Sequence, residues 1–375
     1  MLTNTEYKCI NFNQDFSCLS VGTENEFKIY NVDPFGECFE LDSGANVSEM
    51  LFSTSLVAIV GVGNKPTTSP RRLRILNTKK KSNICELTFP TAVLSMKLNR
   101  KRLVVVLVDQ IYIYDISCMK LLHTIETSPN ENALCDLSSS DDSILIYPAP
   151  GPNVASPFSV NDSNDSGNKS PSSNGSQEVG TVVLFDALNI APLNIIKAHK
   201  TDLASISLNS NGTLFATAST KGTIIRVFNT VTGNKVNEFR RGSYSALIHR
   251  LTFNLNSSLI VATSDTETVH IFKLLPDDDL GIIPRSVNSN VKVNPRRHPS
   301  ITDRIYQNLP KNISSILEPQ RDYAFLRIPN QNKTKNVVGF NGNNVLVGSS
   351  DGSLYVYTIP EKGGECVLVK QYSFE

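Results

Sequence analysis

Ile225-Arg226-Val227-Phe228-Asn229 sets two β-branched residues around an arginine, then closes on an aromatic residue and a turn-forming Asn. Neighbouring side chains on a strand point to opposite faces, so this is the pattern of a short strand that runs into a turn. The same plan returns at Phe27–Asn31, Leu73–Asn77, Ile111–Asp115, Val182–Asp186, Val269–Lys273 and Leu354–Thr358. An apolar strand and a polar turn precede each copy. Typical spacing is about 40–45 residues, the period of a four-stranded propeller blade in WD40-like repeats. Helical periodicity is nearly absent, while period-two alternation and turn residues run throughout. The chain is therefore expected to be all-β, a single seven-bladed β-propeller over residues 1–375. That architecture lets short sheets bury both faces against their neighbours and hide most of their edges.

With 36 Lys and Arg against 35 Asp and Glu, the net charge is +1 at pH 7. No global field selects nucleic acid, and there is no aromatic-basic stripe, so anion binding must come from local basic clusters. Met1–Glu6 lacks a basic region followed by an apolar stretch, and runs such as Leu103–Val108 are far short of the ~20 residues that span a bilayer. The seven cysteines (Cys9, Cys18, Cys38, Cys85, Cys118, Cys135, Cys366) are scattered, with no Cys-x-x-Cys spacing. They are expected to be buried free thiols in a reducing, cytosolic compartment. The histidines show no metal-ligand spacing, and no Gly-x-Ser-x-Gly, His-Glu-x-x-His or phosphate-cradling glycine loop occurs. Neither catalysis, nor a metal, nor a cofactor is expected.

Two spacings between repeats are long. The first holds 149–177, rich in Pro, Ser, Asn, Asp and Gly, which cannot bury enough surface to offset its ordering entropy and is expected as a disordered insertion in blade four. The second, 275–318, begins with Asp277, Asp278 and Asp279 and turns basic at Arg285, Lys292, Arg296, Arg297 and Arg304. Ile301, Ile305 and Leu309 recur at four-residue intervals, the spacing of one helix face. Such a segment suits a membrane interface or docking onto the propeller, and the residues alone favour neither.

The repeat that opens at Ala198-His199-Lys200 closes on Phe239-Arg240-Arg241-Gly242. Adjacent residues of an extended chain point apart, so Arg240 and Arg241 must serve different neighbours, one on the fifth blade and one on the sixth. Gly242 then allows a sharp turn or a close ligand approach. Aligned on their ends, the seven strands place Arg226 and His270 at equivalent positions in adjacent blades. The fifth repeat carries one extra residue between Thr223 and Phe228, expected as a bulge or a longer turn. Ser219-Thr220-Lys221-Gly222-Thr223, Ser243 and Ser264-Asp265-Thr266-Glu267-Thr268 supply hydroxyls beside these cations. Bidentate guanidinium bonds with hydroxyls for the remaining oxygens suit phosphate. The plainer reading is a solvated arginine pair and histidines that bond only within the sheets.

The Arg pair, preceded by Lys221–Phe228 in a seven-repeat chain, resembles the PROPPIN family of phosphoinositide-binding propellers. The likeness runs from Ile10–Gln14 to Gly363–Cys366. Glu49–Leu56, Ser69–Arg74 and Ile111–Ile116 are similar to its fungal autophagy-related protein eighteen branch, whose animal relatives are the WIPI proteins. The resemblance implies that phosphatidylinositol 3-phosphate and 3,5-bisphosphate bind at two sites. His199, Ser219, Thr223, Arg226 and Arg240 would form the first, and Arg241, Ser243, Thr268 and His270 the second. It also implies that 275–318 dips into the bilayer through Ile301, Ile305 and Leu309. Pro70 and Arg71 would contact a lipid-transfer partner of autophagosome formation, with room for oligomerisation on the membrane. Implied locations are the cytoplasm, the preautophagosomal structure, endosome and vacuole membrane, with a role in vacuole morphology. Asp265 and Glu267 depart from the family's pattern and would repel phosphate unless turned away. Beside a phosphate, His199 and His270 are expected to be protonated. The competing reading is a propeller that binds only proteins.

Overall fold

Each of the seven alternating segments forms the third strand of its own antiparallel sheet: Phe27–Val32, Arg72–Asn77, Gln110–Asp115, Thr181–Asp186, Ile224–Asn229, Thr268–Lys273 and Ser353–Thr358. The computed structural model describes residues 6–63, 68–151, 179–274, 319–329 and 335–374. Its seven sheets, among the described residues, are the blades of a propeller with strands in sequence order from axis to rim. The fourth strand is Phe35–Leu41 in blade one, Lys235–Arg240 in blade five and Ala324–Arg327 in blade six. Six of the seven third strands carry the same register shift against the fourth, for instance between Val227 and Phe228.

The alternation of each strand feeds two different cores. In blade five, Ala216, Ala218, Ile225, Val227 and Phe239 pack with Leu251, Ile260 and Phe272 of blade six. Phe215 and Phe228 point the other way, onto Ile144, Val182 and Leu184 of blade four. Seven such clusters fill the seven gaps between blades, so the hydrophobic stabilisation is spread around the ring.

Blade seven draws its last strand, Val367–Ser373, from the C-terminal end, so the first and last blades share no strand. Side chains close the ring. Phe12, Leu19 and Tyr30 of blade one pack against Leu346, Leu354 and Phe374, and the Tyr30 hydroxyl donates to the Phe374 carbonyl at 2.6 Å. Between the third and fourth strands of blade seven, the chain touches blade six through Gly364–Glu365, which runs parallel to Ala324–Arg327.

The seven cysteines are free, but only Cys135 and Cys366 are buried, whereas Cys38 and Cys118 are exposed. The stretch 149–177, expected as a disordered insertion, lies outside the described residues from 152 onward. So does all of 275–318, with Ile301, Ile305 and Leu309. Among the described residues no helix is long and apolar enough to cross a membrane.

Candidate functional site

Phe239 decides how the arginine pair is displayed. It is fully buried between blades five and six, stacked on Phe272 at a ring separation of 5.0 Å. Alternation then sends its neighbours Glu238 and Arg240 to the opposite face, toward blade four. Register confirms it: Arg240 lies opposite Ile224, and Glu238 opposite Arg226. Arg226 lies in turn opposite Thr217, two residues before Ser219 on the same face. One face of blade five thus carries Thr217, Ser219, Arg226, Glu238 and Arg240.

His199, at the entry to blade five, faces that surface. Its Nε2 meets Thr217 Oγ1 at 3.0 Å, and Arg226 Nη1 donates to the Ala198 carbonyl at 2.7 Å. Arg226 Nε donates to Glu238 at 2.9 Å, and Lys235 reaches the same carboxylate oxygen at 2.6 Å. Burial opposes ionisation of Glu238, yet bonds from Lys235 and Arg226 hold it below the usual carboxylate range. Arg226 is therefore pre-oriented but already engaged, and an incoming anion must share it with Glu238. The Arg240 side chain is exposed, and its guanidinium forms no hydrogen bond or ion pair among the described residues. Glu238→Gln is expected to tighten binding of a soluble inositol phosphate headgroup about fivefold, by releasing the Arg226 charge. Calorimetry with that headgroup reads the effect, and an unchanged affinity would show that Arg226 is not a ligand.

In the free protein His199 is closed off from solvent. It is 5 % exposed, and burial, helped by the Arg226 charge, pushes its pKa down to about 4. The ring is neutral at pH 7, so in the free protein it brings a hydrogen bond and no charge. In the unfolded chain it titrates near 6.5. Between pH 6.5 and 4 the unfolded state binds a proton that the folded state refuses, so stability falls as pH drops through that window. The loss amounts to about 3 kcal/mol once below the folded value. His199→Gln keeps a partner for Thr217 and should flatten the curve there. Parallel curves for parent and variant in denaturant titrations would overturn the assignment.

The second face lies between blades five and six. Val269 and Ile271 pack toward blade seven, so Thr268, His270 and Phe272 look back at blade five. His270 Nδ1 meets Asp322 Oδ2 at 2.8 Å. Arg241 follows the end of the fourth strand and braces the junction: its Nε donates to the Gly222 carbonyl at 2.8 Å and its Nη2 to the Tyr244 carbonyl. Burial lowers its pKa, against the pull of nearby Asp265. The Asp265 carboxylate accepts the Leu247 amide at 3.0 Å, so it is turned partly onto backbone. Glu267 and Ser243 are exposed. Both faces thus hold an internal carboxylate partner, Glu238 for Arg226 in one and Asp322 for His270 in the other, and neither was expected from the sequence.

The extra residue of the fifth repeat is a longer turn. Four residues, Thr220 to Thr223, separate the second and third strands of blade five, against three in blade six. The backbone demand also falls elsewhere than expected. Gly222 has a φ of +60°, and a Cβ there would sit 1.7 Å from the Ala246 carbonyl oxygen, whereas one on Gly242 would meet nothing within 4 Å. Gly222 makes the tight turn; Gly242 leaves open space.

Pro70 and Arg71 lie far along the ring, on the edge of blade two. The Pro70 carbonyl accepts the Val93 amide at 2.9 Å, and Arg71 Nε donates to the Phe89 carbonyl at 2.9 Å while its side chain stays exposed. A cavity of about 240 Å³ sits on the axis, lined by Glu49, Lys97, Asp136 and Arg250. Lys97 pairs with Asp136 at 3.1 Å, and Arg250 donates to Asn11, which donates to Glu49. Its charges answer one another, so the arginine pair is the better place for an anion. No three His, Cys, Asp or Glu side chains among the described residues are grouped to hold a metal.

The PROPPIN family model matches residues 6–165 and 149–375. The chain is 49 % identical to autophagy-related protein 18 of Yarrowia lipolytica, over 97 % of this chain and 95 % of that protein. It is 42 % identical to autophagy-related protein 21 of Pichia angusta, over 98 % and 99 %. Among solved structures, the complex of KlAtg21 with the coiled-coil of AgAtg16 aligns with a TM-score of 0.73 at 34 % identity, covering 99 % of this chain and all of that one. Kluyveromyces lactis Hsv2, at 19 % identity and a TM-score of 0.70 over 99 % of this chain and all of that one, shares the fold.

Proposed function

The chain belongs to the PROPPIN family, and from that premise we propose that it is a non-catalytic scaffold that binds phosphoinositide membranes through the two faces flanking Phe239. One observation carries this reading. Burial of Phe239 turns Arg240 to the blade-five face that carries Thr217, Ser219 and Arg226, while Arg241 holds the linker that leads to blade six. His199, Ser219, Thr223, Arg226 and Arg240 make the first site in this proposal, with His199 acting as a neutral support. Arg241, Ser243, Thr268 and His270 make the second. The headgroups are those of phosphatidylinositol 3-phosphate and 3,5-bisphosphate.

Attachment is peripheral, with Ile301, Ile305 and Leu309 entering the bilayer. Pro70 and Arg71 dock a lipid-transfer protein at the forming autophagosome, and the same lipids bring the chain to endosome and vacuole membranes, where it acts on vacuole morphology. The names of the relatives support the autophagy role. Flotation with vesicles that differ only in inositol headgroup tests the lipid reading. Equal flotation with and without a 3-phosphate would replace it with a purely protein-binding scaffold.

A further inference from the structure

Among the described residues no large apolar side chain stands further out of the protein than Tyr244, 87 % exposed, and Leu247, three residues on, is 47 % exposed. Both lie in the linker between blades five and six that begins with Arg241. Its exposure is built in. The Arg241 guanidinium holds the Tyr244 carbonyl and the Gly222 carbonyl together. Buried Ala246 donates its amide to the Lys221 carbonyl at 3.3 Å, and Leu247 and Asp265 exchange bonds at 3.0 and 3.1 Å. The linker is thus tied to a turn of blade five and a turn of blade six, and the tyrosine ring is left outside.

We propose that Tyr244, with Leu247 beside it, is an interfacial anchor that enters the headgroup layer of a bilayer held by the arginine pair; the inference rests on the lipid reading above. Exposed Lys221 and Arg240 flank the linker, and Ser243 and Ser245 are exposed within it. An aromatic ring with a polar tip among cations fits the boundary of an anionic bilayer, where its apolar body is covered and its hydroxyl stays hydrated. A protein-binding patch would present contiguous apolar area, whereas here two apolar side chains stand among hydroxyls and cations. The ring also belongs to the linker that follows Arg240 and Arg241, one arginine of each candidate headgroup site, so lipid capture at either brings it toward the surface.

The chain has no tryptophan, so Tyr244→Trp creates a single fluorescent reporter at the anchor. Phosphatidylcholine vesicles with and without phosphatidylinositol 3-phosphate, their acyl chains brominated or not, are the probe. Emission is expected to shift to the blue and to be quenched by bromine only with the 3-phosphorylated lipid. Tyr244→Asp should weaken vesicle binding about tenfold, the effect of losing roughly half a buried side chain's transfer free energy, and leave soluble headgroup affinity unchanged. If Tyr244→Trp floats with vesicles while its emission stays that of a water-exposed ring, the anchor is overturned and the lipid reading survives. If the parent does not float, both fall.

Discussion

Changing Arg240 and Arg241 together to Thr is expected to reduce flotation to the level of vesicles without phosphoinositide, a loss of a hundredfold or more. In the proposed function each arginine serves a different blade junction, so either single change leaves one site. Two sites on one membrane are linked, and the second capture is effectively intramolecular; a single change loses that gain as well as its own contacts. The two single variants should nevertheless differ in kind. Arg240 is exposed, so Arg240→Thr should leave thermal unfolding unchanged. Arg241 donates to the Gly222 and Tyr244 carbonyls, so Arg241→Thr also releases the linker. It should lower stability by about 1–2 kcal/mol, in the range of charged hydrogen bonds. Arg241→Lys keeps the charge without the two-pronged geometry and should recover only part of the binding. A double variant that floats like the parent would sink the site assignment.

The seven third strands were legible because each ends the same way and sits between turn residues, a local signal that needs no knowledge of partners. Arg226 and His270 fell at equivalent positions for the same reason. Glu238 was within reach, since it stands two residues before Arg240 and must share its face. It escaped because the motif drew attention to its cations alone. Asp322 was not readable. It follows the long stretch 275–318, which breaks the repeat spacing, so nothing local ties it to His270. The buried state of His199 was equally hidden, because Ala198-His199-Lys200 reads as a polar connection. Only the packing of blade four against blade five encloses it. Closure of the ring by Tyr30 and Phe374, 344 residues apart, likewise depends on contacts that no local pattern encodes.

Replacing Ile301, Ile305 and Leu309 with Asp is expected to abolish stable attachment to vesicles, again by a hundredfold or more, while a soluble headgroup binds as before. Each apolar side chain moved from water into a bilayer contributes about 1.5–3 kcal/mol, and three together exceed what one headgroup contact supplies. The substituted carboxylates also face an anionic surface, which repels them. The proposed headgroup sites lie on the blade faces beside Phe239 and involve none of these three residues, so calorimetry with a soluble headgroup should not register the change. The two measurements separate the two readings that the spacing of the segment leaves open. If the segment instead props the propeller, the triple variant should lose headgroup affinity and thermal stability together, on vesicles and in solution alike. Loss confined to vesicles assigns the segment to the bilayer, and adding Tyr244→Asp to that variant should remove the residual binding that the linker still provides.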